Sequence, residues 1–294
     1  MANPVAYPAP GLPETPVLGD LPESRDSPSR QCDGVGVPRY DLFGVGISSI
    51  KLEDAVSLLV DAPASGRRLR AHFCATHTLV AAASDPDLRR ALAEADLVLP
   101  DGMPLVWLGR RQDRRVERVC GPDVMLQLLA RSRSRGHSHF FYGGAPEVLG
   151  PLVDGLRARF PGLNVAGACS PPFRALSATE KDDVVRLLNG AAPDYVWVGL
   201  GSPKQDLWLA EFRPRLNAPV LLAVGAAFDF HAGRLRRAPR WAQRSGLEWT
   251  FRLAAEPRRM AGRYASTAWR LSGLVIKSRL RPSLTPTEGF AEEC

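Results

Sequence analysis

The sequence has no CxxC pair among its five cysteines, Cys32, Cys74, Cys120, Cys169 and Cys294, and their number is odd. That scatter argues against a disulfide framework or a structural zinc site and fits a reducing compartment. An apolar run near the roughly 20 residues that cross a bilayer is missing too. The longest lies around Val220 to Phe228, and nothing after Met1 has the pattern of a secretory signal. The chain is therefore expected in the cytoplasm unless something attaches it to a surface. Neither GxGxxG nor GxxxxGK[ST] occurs, so a dinucleotide fingerprint and a P-loop are both unsupported. His231 has no neighbours at metal-ligand spacing, and Asp113 and Asp123 form no DxD pair, so no metal or other cofactor is expected.

Acidic side chains are scarce in one region. Between His231 and Pro282 twelve arginines and one lysine stand against Glu248 and Glu256, while the whole chain carries a formal +7. A mildly acidic body with a basic C-terminal region implies an anionic partner such as lipid headgroups, nucleic acid or a phosphorylated substrate.

What is present is an alternation of short apolar runs and helical patterns, the signature of an α/β layer architecture with a mostly parallel sheet and helices on both faces. Residues 1–38 hold eight prolines and few large apolar side chains, which predicts a disordered leader. Strands are expected over Leu42 to Val45, Leu69 to Ala75, Leu97 to Leu99, Ser138 to Tyr142, Asn164 to Ala168, Asp194 to Val198 and Pro219 to Val224. Helices are expected over Leu52 to Val60, Pro86 to Ala95, Asp123 to Arg135, Pro146 to Phe160, Thr179 to Asn189 and Pro203 to Phe212, the last capped by Ser202. The α/β domain spans 39–240 in this reading. Over 241–282 the strand signals stop, and three short helical segments follow, broken at Gly246 and Pro257. In the last of these, Met260, Tyr264, Ala268, Leu271 and Val275 make one apolar stripe, with Arg259, Arg263, Arg270 and Lys277 clustered beside it. Such a helix either packs on the body with a solvated basic face or docks on an anionic membrane surface. Residues 283–294 read as a disordered tail.

Ligands of open α/β sheets bind beyond the carboxyl ends of the strands, so the residues after each predicted strand are the ones to inspect. Four loops stand out. "CATHT" supplies Thr76, His77 and Thr78, and "LPDG" supplies Asp101 and Gly102. "YGGAPE" places Gly143 and Gly144 before a proline-started helix, and "VGLGSPKQ" does the same with Gly199, Gly201, Ser202, Lys204 and Gln205. Glycine lets a backbone approach a ligand closely, and the helix that follows offers unpaired N–H groups to a phosphate. Each loop alone also fits an ordinary tight connection, and Asp101 alone fits an ordinary turn residue.

Together the segments "ADLVLPDGMPLVW", "ERVCGPDVML", "FYGGAPE", "VWVGLGSPKQDLW" and "VGAAFDFHAGRLRRAPRWAQRSGLEWTFRLAAEPRR" resemble the WecG/TagA/CpsF family, glycosyltransferase family 26, from about Tyr40 to Tyr264. The resemblance implies a Rossmann-like fold with a basic, membrane-binding C-terminal appendage that helps complete the site. It also implies an inverting, metal-independent transferase. Such an enzyme moves a sugar, N-acetylmannosamine in the best-known members, from a UDP donor to a sugar on an undecaprenyl-diphosphate carrier in teichoic acid, capsule or exopolysaccharide assembly. On this basis Asp101 takes the role of general base, and Thr76 and Gln205 match donor-site residues, with Thr78, Gly102, Gly143, Gly144, Gly201 and Lys204 placed beside them. Arg118 matches the basic residue before the GxD turn, an acceptor or diphosphate contact, and Arg234, Arg236, Arg237 and Arg240 are placed near the lipid diphosphate.

One position departs from the pattern: many members carry Asn where this chain has Thr78, which leaves the donor sugar open between N-acetylmannosamine and a related hexose. The partners implied are a UDP-sugar, a polyprenyl-diphosphate-linked acceptor and an anionic membrane surface, with peripheral attachment at the inner face and no nucleic acid. A homo-oligomer stays open. The alternative reading is a nucleotide-binding regulatory module with a basic nucleic-acid-binding tail.

Overall fold

Parallel strands need a crossover of a dozen or more residues between them, and here helices supply it. The computed structural model describes residues 5–7, 35–112 and 116–280. In chain order these begin with strands β1 (Val5–Tyr7), β2 (Arg39–Leu42) and β3 (Val45–Ser48), then α1 (Leu52–Asp61), β4 (Leu69–Cys74), α2 (Thr76–Ala82), α3 (Pro86–Ala93) and β5 (Leu97–Pro100). They continue with α4 (Met103–Gly109), α5 (Gly121–Arg133), β6 (Ser138–Gly143), α6 (Pro146–Arg159), β7 (Asn164–Ser170), α7 (Ala178–Ala191), β8 (Tyr195–Gly199) and α8 (Lys204–Phe212). The last elements are β9 (Val220–Ala223), α9 (Ala227–His231), α10 (Arg240–Arg244), α11 (Glu248–Ala255) and α12 (Pro257–Leu280).

The main sheet runs β1-β7-β6-β8-β9-β4-β5, with β4 to β9 parallel and β1 antiparallel at the β7 edge. Alternate strand residues serve opposite faces. Phe73, Leu99, Phe141, Trp197 and Leu222 join a core closed by Leu59 of α1, Leu128 of α5, Leu152 of α6 and Phe228 of α9. On the other face Tyr142, Val198 and Ala223 pack under α7 and α8, where Trp208 stacks on Phe212 at 4.4 Å between ring centroids. Cys74 and Val98 pack under α2, α3 and the β2–β3 hairpin through Leu79, Leu88 and Ile47. Each large side chain so buried contributes about 1.5–3 kcal/mol, and these faces fix the sheet as a rigid platform.

Four local expectations are corrected. The strand expected over Leu42 to Val45 is the turn of a hairpin, because Phe43 and Gly44 both have positive φ, 56° and 84°, the geometry that reverses a chain in two residues. "CATHT" is not a loop, since α2 begins at Thr76 directly after β4 and ends before Asp85, whose carboxylate caps α3 by accepting from the Asp87 and Leu88 N–H groups. Ser202 does not cap α8, which starts at Lys204; its hydroxyl accepts from Thr78 instead. The third C-terminal helix is not short: α12 has 24 residues. Of the proline-rich leader, 1–4 and 8–34 lie outside the described residues, while Val5–Tyr7 pair with β7; the tail 283–294 also lies outside them.

Candidate functional site at the carboxyl edge of the sheet

Because β4 to β9 share one direction, their carboxyl ends open at a single edge, and the residues singled out in the four loops gather there. Asp101 follows Pro100 at the end of β5, and its N–H donates to the Cys74 carbonyl at 3.0 Å, tying the turn to β4. The next residue is close to α2: a Cβ on Gly102 would fall 3.0 Å from the Thr76 hydroxyl oxygen. Thr76, Asp101 and Gly102 therefore form one corner.

Arg118 closes that corner. Its Nε donates to the Asp101 carbonyl at 2.7 Å, and its Nη2 lies 3.5 Å from the Asp101 carboxylate. The same Nη2 donates at 2.6 Å to Glu248 at the start of α11. Burial raises the Asp101 carboxyl above its ordinary pKa; Arg118 opposes that shift, Glu248 adds to it, and Arg252 and Arg237 oppose it. The side chain nevertheless keeps 28% of its surface accessible, so the acid is ringed by protein yet open on one side. Burial works against the Arg118 charge, but Asp101, Cys120 and Glu248 outweigh it and hold the proton more tightly than usual.

The glycine loops make a second wall farther along the same edge, after β6 and β8. Gly143 has φ 116°, and a Cβ there would lie 2.8 Å from the Gly199 carbonyl carbon and oxygen. Gly144 donates its N–H to the Gly199 carbonyl at 3.0 Å and its own carbonyl accepts from Ser170 at 2.6 Å. Gln205 is 3% exposed, with its Oε1 accepting from the Gly201 N–H and its Nε2 donating to the Ala223 carbonyl. Thr78 is equally sealed, its hydroxyl donating to Ser202 at 3.0 Å. Both side chains shape the loop after β8 through their own polar atoms. A Cβ at Gly201 would meet nothing within 4 Å, and Lys204 is exposed, its Nζ 4.6 Å from the centroid of the exposed Phe173 ring.

Residues 234–255 lie against the Asp101 side. Arg237 forms a bidentate pair with Asp123 near the start of α5, with Nη2 to Oδ2 at 2.9 Å. Burial would raise the Asp123 pKa, but the hydrogen bonds from Arg237 and Cys120 hold it below the ordinary value. Arg234, Arg236 and Arg240 are exposed and are not brought into contact with Asp101. Gly246, with φ 76°, lies so near α4 that a Cβ would fall 2.9 Å from the Trp107 ring.

Helix α12 packs on α2 and α11 through Met260, which is buried, while Tyr264, Leu271 and Val275 are half-buried and Ala268 is exposed. Arg263 leans on the Met260 sulfur, Arg270 and Lys277 are exposed, and the Arg259 side chain lies outside the described residues. Trp241, Leu247, Trp249, Phe251, Trp269 and Ile276 are exposed along this C-terminal region. Among the described residues no helix is long and apolar enough to cross a membrane, and no group of three or more His, Cys, Asp or Glu is placed to hold a metal ion.

Sequence reasoning passed over two acids. Glu248 counted only toward a charge balance and Asp123 only as half of an absent DxD; their partners, Arg118 and Arg237, lie more than a hundred residues away. For Glu248 the signal was the scarcity itself, since a lone acid within a strongly basic stretch stands out; for Asp123 the sequence offered none.

Comparison with known proteins adds an independent finding. The family model described as the Glycosyl transferase WecG/TagA/CpsF family matches residues 40–285. An N-acetylglucosaminyldiphosphoundecaprenol N-acetyl-beta-D-mannosaminyltransferase of Bacillus spizizenii (strain ATCC 23059 / NRRL B-14472 / W23) is 29% identical over 179 residues, which is 60% of this chain and 68% of that protein. The protein of the same description from Bacillus subtilis (strain 168) is 30% identical over 178 residues, with the same shares covered.

Proposed function

The chain belongs to the WecG/TagA/CpsF family of glycosyl transferases, and on that premise we propose that it moves a sugar from a UDP donor to a sugar carried on a polyprenyl diphosphate. The relatives' descriptions name the acceptor class, N-acetylglucosaminyldiphosphoundecaprenol, and N-acetylmannosamine as the sugar transferred. The observation that carries the reading is Asp101: a partly open carboxylate with a raised pKa, at a strand's end, between a glycine wall and a cluster of guanidinium groups.

In the proposed step an acceptor hydroxyl approaches Asp101, which takes its proton as the oxygen attacks the anomeric carbon. The bond from that carbon to the UDP phosphate oxygen breaks, and its electron pair leaves with the diphosphate. Attack from the face opposite the leaving group inverts the anomeric centre. Positive groups answer the growing charge on UDP without a metal: Lys204 and the N–H groups where Gly143 and Gly144 lead into α6, while Arg118 and Arg237, each paired with an acid, stand on the acceptor side. Thr78 stands beside the loop after β8, its sealed hydroxyl given to Ser202, and with no amide at this position N-acetylmannosamine and related hexoses are both candidate donors.

Asp101→Asn tests the assignment. It is expected to bind UDP normally by calorimetry while transfer to a short-chain lipid-diphosphate acceptor, assayed in EDTA, falls by about 10²–10⁴. Unchanged turnover removes Asp101 from the role. A panel of UDP-sugars with mass analysis of the product names the donor.

The C-terminal region supports peripheral attachment to an anionic membrane: exposed Trp241, Trp249 and Trp269 lie among exposed Arg240, Arg270 and Lys277. A Trp241→Ala, Trp269→Ala double variant is expected to lose at least about tenfold in partitioning to anionic vesicles, read by sedimentation. Equal sedimentation of variant and wild type removes these rings from the contact.

A further inference from the structure

We propose that Glu248 is a positioning residue for the transfer: from α11 it holds the Arg118 guanidinium partly off Asp101, so that the carboxylate is set as a base only while the C-terminal region is seated. The proposal rests on reading Asp101 as the proton acceptor. The geometry behind it is the sharing of one nitrogen. Arg118 Nη2 lies 2.6 Å from Glu248 and 3.5 Å from Asp101, so the nearer acid takes the hydrogen bond and the farther one is left with a long, weak contact. The Arg118 Nε, fastened to the Asp101 carbonyl at 2.7 Å, keeps the guanidinium from leaving altogether.

The groups facing Asp101 make Glu248 distinctive. Arg118 comes from the loop before α5, Arg252 from α11 and Arg237 from the loop after α9; Glu248 is the acid among these charged neighbours. The buried thiols Cys74 and Cys120 also face it, each with its proton held more tightly than usual, first by burial. Removing the Glu248 charge has two consequences of the same sign. A negative neighbour disappears, and Arg118 is freed to close on Asp101. Both stabilise the carboxylate, lower its proton affinity and make it a weaker base.

A structural role predicts something else. Were Glu248 only a staple for α11, its loss would loosen the helix and weaken binding, while Asp101 would feel no more than one missing charge, with Arg118 still 3.5 Å away and kcat at saturating substrate unchanged. The two accounts separate on the pH axis.

The test compares full-length wild type, Glu248→Gln and Glu248→Asp. One readout is the carbon-13 NMR titration of the Asp101 carboxyl, assigned by its absence in Asp101→Asn. The other is the pH profile of transfer with UDP-N-acetylmannosamine and a short-chain polyprenyl-diphosphate N-acetylglucosamine acceptor. Glu248→Gln is expected to move the Asp101 midpoint and the acid limb of kcat/KM down by about one pH unit. Its kcat at neutral pH should drop about tenfold, with donor KM changed less than about threefold. Glu248→Asp should recover most of both.

An Asp101 midpoint unmoved in Glu248→Gln overturns the proposal, whatever happens to KM. So does a failure of Glu248→Asp to recover the midpoint while thermal unfolding matches wild type. Should Glu248→Gln fail to fold, Glu248→Ser is read by the same titration: a midpoint lowered by about one unit supports the role, and an unmoved midpoint in the folded variant overturns it. If wild type transfers nothing to the lipid-linked acceptor, the reading of the reaction falls, and the NMR titration still decides whether Glu248 sets Asp101.

Discussion

At one part of the sheet's carboxyl edge Gly143 lies so near Gly199 that a single added carbon would meet backbone at 2.8 Å; at another, Asp101 and Arg118 stand 3.5 Å apart and leave part of the acid open. The glycine wall is made of chain packed on chain. Its hydrogen bonds run between neighbouring strands and loops, its charge is the exposed Lys204 at the start of α8, and the sheet forms it in advance of any ligand. The charged wall is joined by two ion pairs of opposite polarity: Arg118 of the body answers Glu248, and Asp123 of the body answers Arg237. Shape on the first wall is a property of the sheet; on the second it is a property of how residues 234–255 are seated. Salt screening and pH should therefore reach the second wall and leave the first nearly untouched.

The strongest way to break that contrast is Arg118→Met, which keeps the length of the side chain and removes its charge. Asp101 then loses the hydrogen bond on its carbonyl and Glu248 is left without its partner. Transfer efficiency is expected to fall about 100-fold, which is about 2.7 kcal/mol of transition-state stabilisation, with the UDP affinity reduced less, read as kcat/KM against calorimetric Kd. A fall confined to KM would make Arg118 a plain binding residue.

On the glycine wall the matching change is Gly143→Ala. Here two costs coincide, a φ of 116° that L residues rarely adopt and a collision with the immobile Gly199 backbone. Stability is expected to fall by about 2 kcal/mol in denaturant unfolding, with little dependence on salt. A substitution tolerated at full stability would show that the β6 and β8 loops are not packed as described.

The two walls also differ in how far the sequence announces them. The apolar runs at β4 to β9 and the helices α1, α3 and α5 to α8 are read to within a few residues, because buried strands and amphipathic helices carry local periodicity, whereas the short α2, α4 and α9 carry too few turns to show it. Gly143 and Gly199 are legible for a similar reason, since a glycine pair between an apolar run and a proline-started helix is a local signal. The charged wall is only half legible. Asp101 stands out in its Pro-Asp-Gly turn, and the resemblance picks out Arg118, but no spacing rule links Arg118 to Glu248 or Asp123 to Arg237 across more than a hundred residues. Phe43 misled for a different reason: the two-residue turn takes positive φ at a phenylalanine, where Asn, Asp or Gly is the usual sign.

The smallest effect concerns His77 on α2, the helix on which α12 packs. Burial, with Arg263 and Arg252 alongside, pushes its pKa down to about 4, against the weaker pull of Asp206. An unfolded histidine titrates near 6.5, so between about pH 6.5 and 4 the unfolded chain takes a proton that the folded protein refuses, and stability is lost as pH falls through that window. His77→Gln removes the group that titrates. Relative to this variant, wild type should lose about 1 kcal/mol of unfolding free energy on going from pH 7.5 to pH 5, less than the full shift implies because the ring is only half-buried and local opening lets it protonate. The measurement is the denaturant midpoint of the pair at the two pH values. Parallel pH dependence would mean that His77 is not kept neutral and that α12 is not seated on α2 as described; diverging curves would show that this contact answers to pH through burial and nearby guanidinium groups, whereas the one at Asp101 answers through a shared hydrogen bond.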